Sequence, residues 1–220
     1  MCGRFSLTMP LEDVKERFEV EIPGNLYEPR YNAAPGQNIL VIPQESPNKA
    51  DFYRWGLVPS WAKDPKIGNK LINARAETVA QKPAFRSAFK RHRCLVPADG
   101  FYEWDKKNGT RLPYRFTFKD GRIFAFAGIY DYWKNEKGDE LRSFSIITTE
   151  ANRPVSQVHD RMPVILNQDD ELHWINPRLE LDEIKKILKP YSEMEMEMYQ
   201  ISTMINSPSN DKAEALQRVA

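Results

Sequence analysis

Leu112-Pro-Tyr-Arg-Phe-Thr-Phe118 places aromatic side chains at positions 114, 116 and 118 and polar ones between them, the period of a strand with one apolar face. Runs of the same kind lie at Cys94 to Pro97, Ile123 to Ile129 and Ser143 to Thr149. Lys107-Asn108-Gly109, Lys119-Asp120-Gly121 and Lys137-Gly138-Asp139 fall between such runs and have the chemistry of hairpin connections. The middle of the chain therefore reads as a closed or strongly curved antiparallel sheet. Asn38 to Pro43 and Asp51 to Leu57 add strands upstream, and Met162 to Leu166 adds one downstream. Met194, Met196 and Met198 alternate with Glu193, Glu195 and Glu197, a strand with one wet face.

Short helices flank this β-rich centre. Pro10 opens one in which Leu11, Val14 and Phe18 recur at helical spacing. Pro83 to Arg93 carries Phe85, Ala88 and Phe89 on one face and Arg86, Lys90 and Arg93 on another, a basic amphipathic helix. A short helix follows Asn167, and a last one, Leu181 to Lys189, has Asp182 and Glu183 in its first turn and lysines towards its end, matching the helix dipole. Pro59 to Leu71 reads as a loop. The expectation is a single α+β domain over residues 1–220, with a frayed tail from Ala213 to Ala220.

At 220 residues and 41% hydrophobic content the chain can bury a real core, and a net charge of +1 means that any nucleic-acid site must come from local clustering of cations. Two cysteines without CxxC spacing and three histidines exclude a disulfide framework and a structural zinc site, so neither metal nor cofactor is expected. Nowhere do 18 apolar residues run together, and the first 20 lack the apolar core of a signal peptide, which gives the expectation of a cytoplasmic protein without membrane contact.

The chemistry centres on Met1-Cys2-Gly3-Arg4. Removal of Met1 would leave an amine and a thiol on adjacent carbons. An α-amine is about 10–20% neutral at pH 7, against about 0.04% for lysine, so it is the better Schiff-base former by roughly a few hundredfold. The thiol can then close a thiazolidine ring, and aldehyde trapping is the chemistry this position predicts. Glu103, between Tyr102 and Trp104, is placed for desolvation and for proton transfer near neutral pH, and His159, in a His-Asp-Arg run, is a candidate acid or base. His92 and His173 read as structural. Arg4, Arg54, Lys63, Lys70, Arg75, Arg86 and Arg161 are candidate phosphate contacts, while Trp55, Trp61, Phe101 and Trp104 are candidate stacking platforms for single-stranded bases.

An ordered set of motifs resembles the SRAP family of SOS-response-associated proteins, which crosslink to abasic sites in single-stranded DNA. The set runs through Met1-Cys-Gly-Arg-Phe5, Tyr31-Asn-Ala-Ala-Pro35, Trp55-Gly-Leu-Val-Pro59, Trp61-Ala-Lys-Asp64, Asn73-Ala-Arg-Ala-Glu-Thr78 and Lys82-Pro-Ala-Phe-Arg86, then Arg93 to Trp104 and Val158 to Leu166. The resemblance implies a barrel-like fold flanked by helices. It also implies that Cys2 joins the DNA, that Asn73 holds the terminus and the aldehyde, that Glu103 shuttles protons, and that His159 works on the sugar hydroxyl side. Arg4, Arg75 and Arg161 would grip phosphates, Trp61 would lie where duplex and single strand meet, and Pro35, Arg86, Trp104 and Met162 complete the DNA-contacting set. The implied partner is single-stranded DNA carrying abasic sites, met by a monomer. Two other readings stay open: a thiol peptidase using Cys2, His159 and Glu103, and a non-covalent single-strand or modified-DNA binding module.

Overall fold

The computed structural model describes residues 2–105 and 111–219; the expected turn at Lys107-Asn108-Gly109 lies outside them. In chain order the elements are β1 (Phe5–Leu7), α1 (Leu11–Phe18), β2 (Arg30–Ala33), β3 (Asn38–Pro43), β4 (Asp51–Trp55), β5 (Asn73–Arg75), α2 (Arg86–Arg91), β6 (Arg93–Ala98) and β7 (Gly100–Asp105). They continue with β8 (Leu112–Phe118), β9 (Phe124–Lys134), β10 (Glu140–Glu150), α3 (Arg153–Ser156), β11 (Arg161–Pro163), β12 (Ile165–Leu166), α4 (Gln168–Trp174), α5 (Leu181–Ile187) and β13 (Met196–Gln200).

Pairing closes a five-strand ring, β10-β4-β3-β6-β9 and back to β10, with β5, β11 and β12 added at its rims. A second sheet, ordered β13-β8-β7-β1-β2, packs against it. The expected closed, curved sheet is present, with one departure: β10 runs parallel to β4 and β5. The Lys119–Gly121 turn also departs from expectation. It does form, with Gly121 N–H donating to the Phe118 carbonyl, but it carries the chain from one sheet into the other instead of closing a hairpin. Lys137-Gly138-Asp139 does connect the hairpin β9–β10.

Strands of the ring are buried on both faces, which is why their sequences read as nearly continuous apolar runs. Along β9, Ala125, Ala127 and Ile129 enter one core with Leu40, Ile42, Phe89 and Trp174. The intervening Phe124, Phe126 and Tyr130 enter a second, aromatic core with Phe5, Trp55, Phe101, Phe116 and Phe144. Each fully buried aromatic contributes roughly 2–3 kcal/mol by the area it removes from water. This aromatic core fills the space between ring and sheet, and Cys2 belongs to it.

Several local expectations are corrected. Arg93 is not on the basic face of a helix; α2 ends before it, and the residue opens β6, 1% exposed, its guanidinium donating to the carbonyls of Trp174, Phe89, Lys90 and Asn176. Met194 lies outside β13 and is exposed, while Met196 is buried. The tail does not fray through residue 219: Ala215 is buried, Ser202 N–H donates to Gln217, and Val219 N–H donates to Gln200. The Pro59–Leu71 loop contains a 3-10 turn, Pro65–Lys70, capped by Asp64. No helix among the described residues is long and apolar enough to cross a membrane.

Candidate functional site

Pairing of Phe5 with Phe101 runs the N-terminus alongside β7, and Tyr102 N–H donates to the Arg4 carbonyl at 3.1 Å. That register brings Cys2 into the aromatic core beside Glu103. From the other side β5, held by β10, presents Asn73, whose Nδ2 donates to the Cys2 carbonyl at 2.7 Å. Asn73 Oδ1 is buried and accepts no hydrogen bond among the described residues. The Cys2 thiol lies 3.6 Å from the Arg4 carbonyl, a weak contact. Burial pushes this thiol well above the ordinary cysteine range, and the nearby Glu103 carboxylate pushes it further, so the resting group is the neutral thiol.

Glu103, 3% exposed, opens with Gly3, Arg4 and His159 onto a cleft of about 260 Å³. The expected desolvation of Glu103 is therefore present. His159 Nδ1 lies 3.0 Å from the Arg161 N–H and 2.9 Å from an Asp160 carboxylate oxygen. A ring nitrogen can accept from the first or donate to the second. Asp160 is 87% exposed, so the ring nitrogen sits between a backbone N–H and a carboxylate in water.

The opposite wall comes from the C-terminal segment. Asn32 Oδ1 accepts from Arg4 at 2.7 Å, and its Nδ2 donates to the carbonyls of Ser207 and Asn210. Asp211 accepts from the N–H groups of Tyr31 and Asn32 and pairs with Arg30 at 2.6 Å. Asn206 accepts from the Trp104 indole at 2.6 Å and, through its carbonyl, from Arg4 at 3.4 Å. The guanidinium carbons of Arg4 and Arg111 lie 5.8 and 6.0 Å from the Trp104 ring centre, giving an electropositive aromatic platform. Sequence reasoning missed Arg111, Asn206 and Asn32. Asn32 does sit in a quoted motif, but a buried amide that braces an arginine has no local signature.

Other sequence candidates separate by exposure. Trp61 is 58% exposed beside Lys63, Lys66 and Lys70, on a loop fixed by the Trp133 indole donating to the Ala62 carbonyl and by Ser60 N–H donating to Asp131. Arg75 and Arg86 are exposed. Pro35 is exposed in a turn with Gly36 at φ +87°, which favours glycine. Three candidates are corrected. Trp55 and Phe101 are buried in the aromatic core and are not stacking platforms, and Met162 is fully buried, its sulfur accepting from the Asn152 N–H, so it presents no DNA-contacting surface. Arg161 is already engaged by Glu77, and Arg54 donates to Asn69. His92 stacks on Tyr130, as a structural residue would, and His173 is exposed on α4. A larger hollow, about 560 Å³ beneath residues 26–30, contains none of the proposed catalytic residues. No cluster of histidine, cysteine and acidic side chains able to hold a metal occurs among the described residues.

Against known proteins, residues 1–208 match the family model described as SOS response associated peptidase (SRAP). The chain belongs to the SRAP family. Among its relatives, the Bacillus subtilis abasic site processing protein YoaM is 47% identical over 98% of this chain and 97% of its own. The Escherichia coli abasic site processing protein YedK is 30% identical over the whole of both chains, and the Xenopus tropicalis abasic site processing protein HMCES is 28% identical over 98% of this chain and 78% of its own. A solved structure from Bacteroides thetaiotaomicron superposes with a TM-score of 0.92 at 32% identity, covering all of both chains. The SRAP match stops at residue 208, just short of Asp211, which clamps the wall of the cleft.

Proposed function

We propose that this protein captures the aldehyde of ring-opened abasic sites in single-stranded DNA as a thiazolidine on Cys2, once removal of Met1 frees the α-amine. The observation that carries the reading is the hold of Asn73 on the Cys2 carbonyl within the same site as Glu103 and His159. A fixed carbonyl restricts the amine and thiol of the same residue, an orientation that intermolecular reagents lack. The amine adds to the aldehyde carbon and water leaves after proton transfer from Glu103, giving an imine. The sulfur then bonds to the imine carbon while the thiol proton passes, through Glu103, to the nitrogen. Atoms balance with the loss of one water.

The same carboxylate that disfavours a resting thiolate is the base on hand when the S–C bond forms. His159, on the wall of the same cleft, acts as the acid or base at a sugar oxygen, and Arg4, Arg75 and Arg86 supply cations for the backbone. Trp104 between Arg4 and Arg111 offers a stacking face for a neighbouring base, and Trp61 a second one. The relatives' names support abasic DNA as the partner. A thiol peptidase is disfavoured because it needs an oxyanion hole as well as the thiol and gives no reason for the thiol to be terminal. The test is a denaturing gel after incubation with a single-stranded oligonucleotide carrying one abasic site. A slow-migrating species for wild type, lost in Cys2→Ala, supports the reading; equal yields overturn it.

A further inference from the structure

Arg161 is expected to grip phosphate, yet its guanidinium is occupied by a carboxylate of the chain itself. Nη1 and Nη2 donate in parallel to the two oxygens of Glu77 at 2.7 and 2.9 Å, and Nη2 also donates to the Thr148 carbonyl at 2.6 Å. Two parallel N–H···O bonds are the arrangement that a guanidinium offers to the non-bridging oxygens of a phosphodiester. The pair is tied to the proposed site through the backbone: the Arg161 N–H donates to His159 Nδ1, and Glu77 lies two residues beyond the strand that carries Asn73 and Arg75. Its members are unequal. The Arg161 side chain is 14% exposed and pinned by Thr148, whereas that of Glu77 is 52% exposed. The cation is fixed and the carboxylate can swing away.

We propose that Glu77 is a specificity-determining residue: its carboxylate occupies the seat of a DNA phosphate on Arg161 and must be displaced before a strand settles beside His159. This rests on the reading of the protein as an abasic-DNA-capturing one. Displacement exchanges one anion for another on Arg161 and releases Glu77 to water, so every strand meets the same opposing term. Passing, reversible contact with undamaged DNA is weakened by it, while capture at an aldehyde, which ends in a covalent bond, overcomes it. Glu77 thus lowers occupancy on undamaged strands without removing the grip needed at the lesion.

The test is a double-mutant cycle on the full chain, using wild type, Glu77→Gln, Arg161→Gln and the double variant, each verified as folded by thermal melting. An undamaged single-stranded oligonucleotide is titrated into each at several salt concentrations, and adduct yield with an abasic oligonucleotide is measured alongside. Glu77→Gln is expected to tighten binding about fivefold at low salt and to steepen the slope of log K against log salt by about 0.7, the increment for one more phosphate contact on a single strand. In the Arg161→Gln background the same change gives only the smaller gain of removing a distant negative charge. Equal gains in both backgrounds, or none in either, overturn the inference while wild-type adduct formation leaves the parent reading standing. Absence of both DNA binding and adduct in wild type overturns the two together.

Discussion

Two buried carboxylates lie four residues apart, Asp99 at 2% exposure in the corner between β6 and β7 and Glu103 at 3% within β7, and the proposed function gives them opposite roles. Asp99 is saturated by donors: Ser6 Oγ at 2.6 Å, the Thr8 N–H and hydroxyl at 2.5 and 2.6 Å, and Arg115 at 3.1 Å. It ties β1 to β8 and is a strut. Glu103 instead faces the Cys2 thiol and an open cleft. Burial is equal, so burial alone does not separate a strut from the proton-transfer group that we propose Glu103 to be. The proposal separates them by what lies beside them: the donors of Ser6, Thr8 and Arg115 at Asp99, the Cys2 thiol and a cleft at Glu103.

The largest effect should come from breaking the strut. Asp99→Ala leaves the Arg115 guanidinium and three further donors without their acceptor, and such losses cost about 3–5 kcal/mol; urea denaturation measures this, and a loss below about 1 kcal/mol would dissolve the contrast. Glu103→Gln should do the reverse, leaving stability within about 1 kcal/mol while slowing adduct formation roughly 100- to 1,000-fold, as expected when a proton-transfer group is removed. A quenched time course with abasic oligonucleotide reads the rate, and near-wild-type kinetics would place Glu103 with Asp99 as a strut.

Asn73→Ala sharpens the contrast at the shared neighbour, Cys2. With the Cys2 carbonyl released, the adduct rate should fall about 10- to 100-fold through lost orientation, and stability by about 1 kcal/mol. An unchanged rate would show that the aromatic core alone positions the terminus. The smallest effect is expected furthest from both carboxylates. Trp61→Ala should weaken single-strand binding by about 1–3 kcal/mol and leave the melting temperature unmoved, because the side chain is mostly in water. Fluorescence anisotropy with an undamaged oligonucleotide decides it.

The longer strands and helices were legible because alternation and helical spacing are local, whereas β1, β2, β5, β7 and α3 were not predicted. Leu112–Phe118 occurs where its aromatic period places it, and so does Asn38–Pro43. Sheet membership was not legible: a Lys-Asp-Gly turn has the same chemistry whether it closes a hairpin or crosses between layers, as at 119–121. Within the site, Cys2, Asn73, Glu103 and His159 were named from the terminus, the mixed polar runs and the family motifs, and the structure brings them to one place. Met162, Trp55 and Phe101 failed as surface contacts because type and motif do not report burial in a fold with two cores. Arg93 failed for a related reason. A guanidinium beside a basic run reads as solvated, yet four carbonyls converge on it, two from Phe89 and Lys90 in the helix just before it and two from Trp174 and Asn176, 81 and 83 residues away. Engagement of Arg161 by Glu77 was equally invisible, since nothing local marks residues 77 and 161 as partners.

The most direct test of the central claim is intact-complex mass spectrometry of the mature protein with a single-stranded oligonucleotide carrying one abasic site, beside Cys2→Ala and a form with one extra residue ahead of Cys2. The account predicts a product of the summed masses less one water for the mature protein and none for the two controls. The same product from the N-terminally extended form would contradict it, because the ring cannot close without a free α-amine on Cys2.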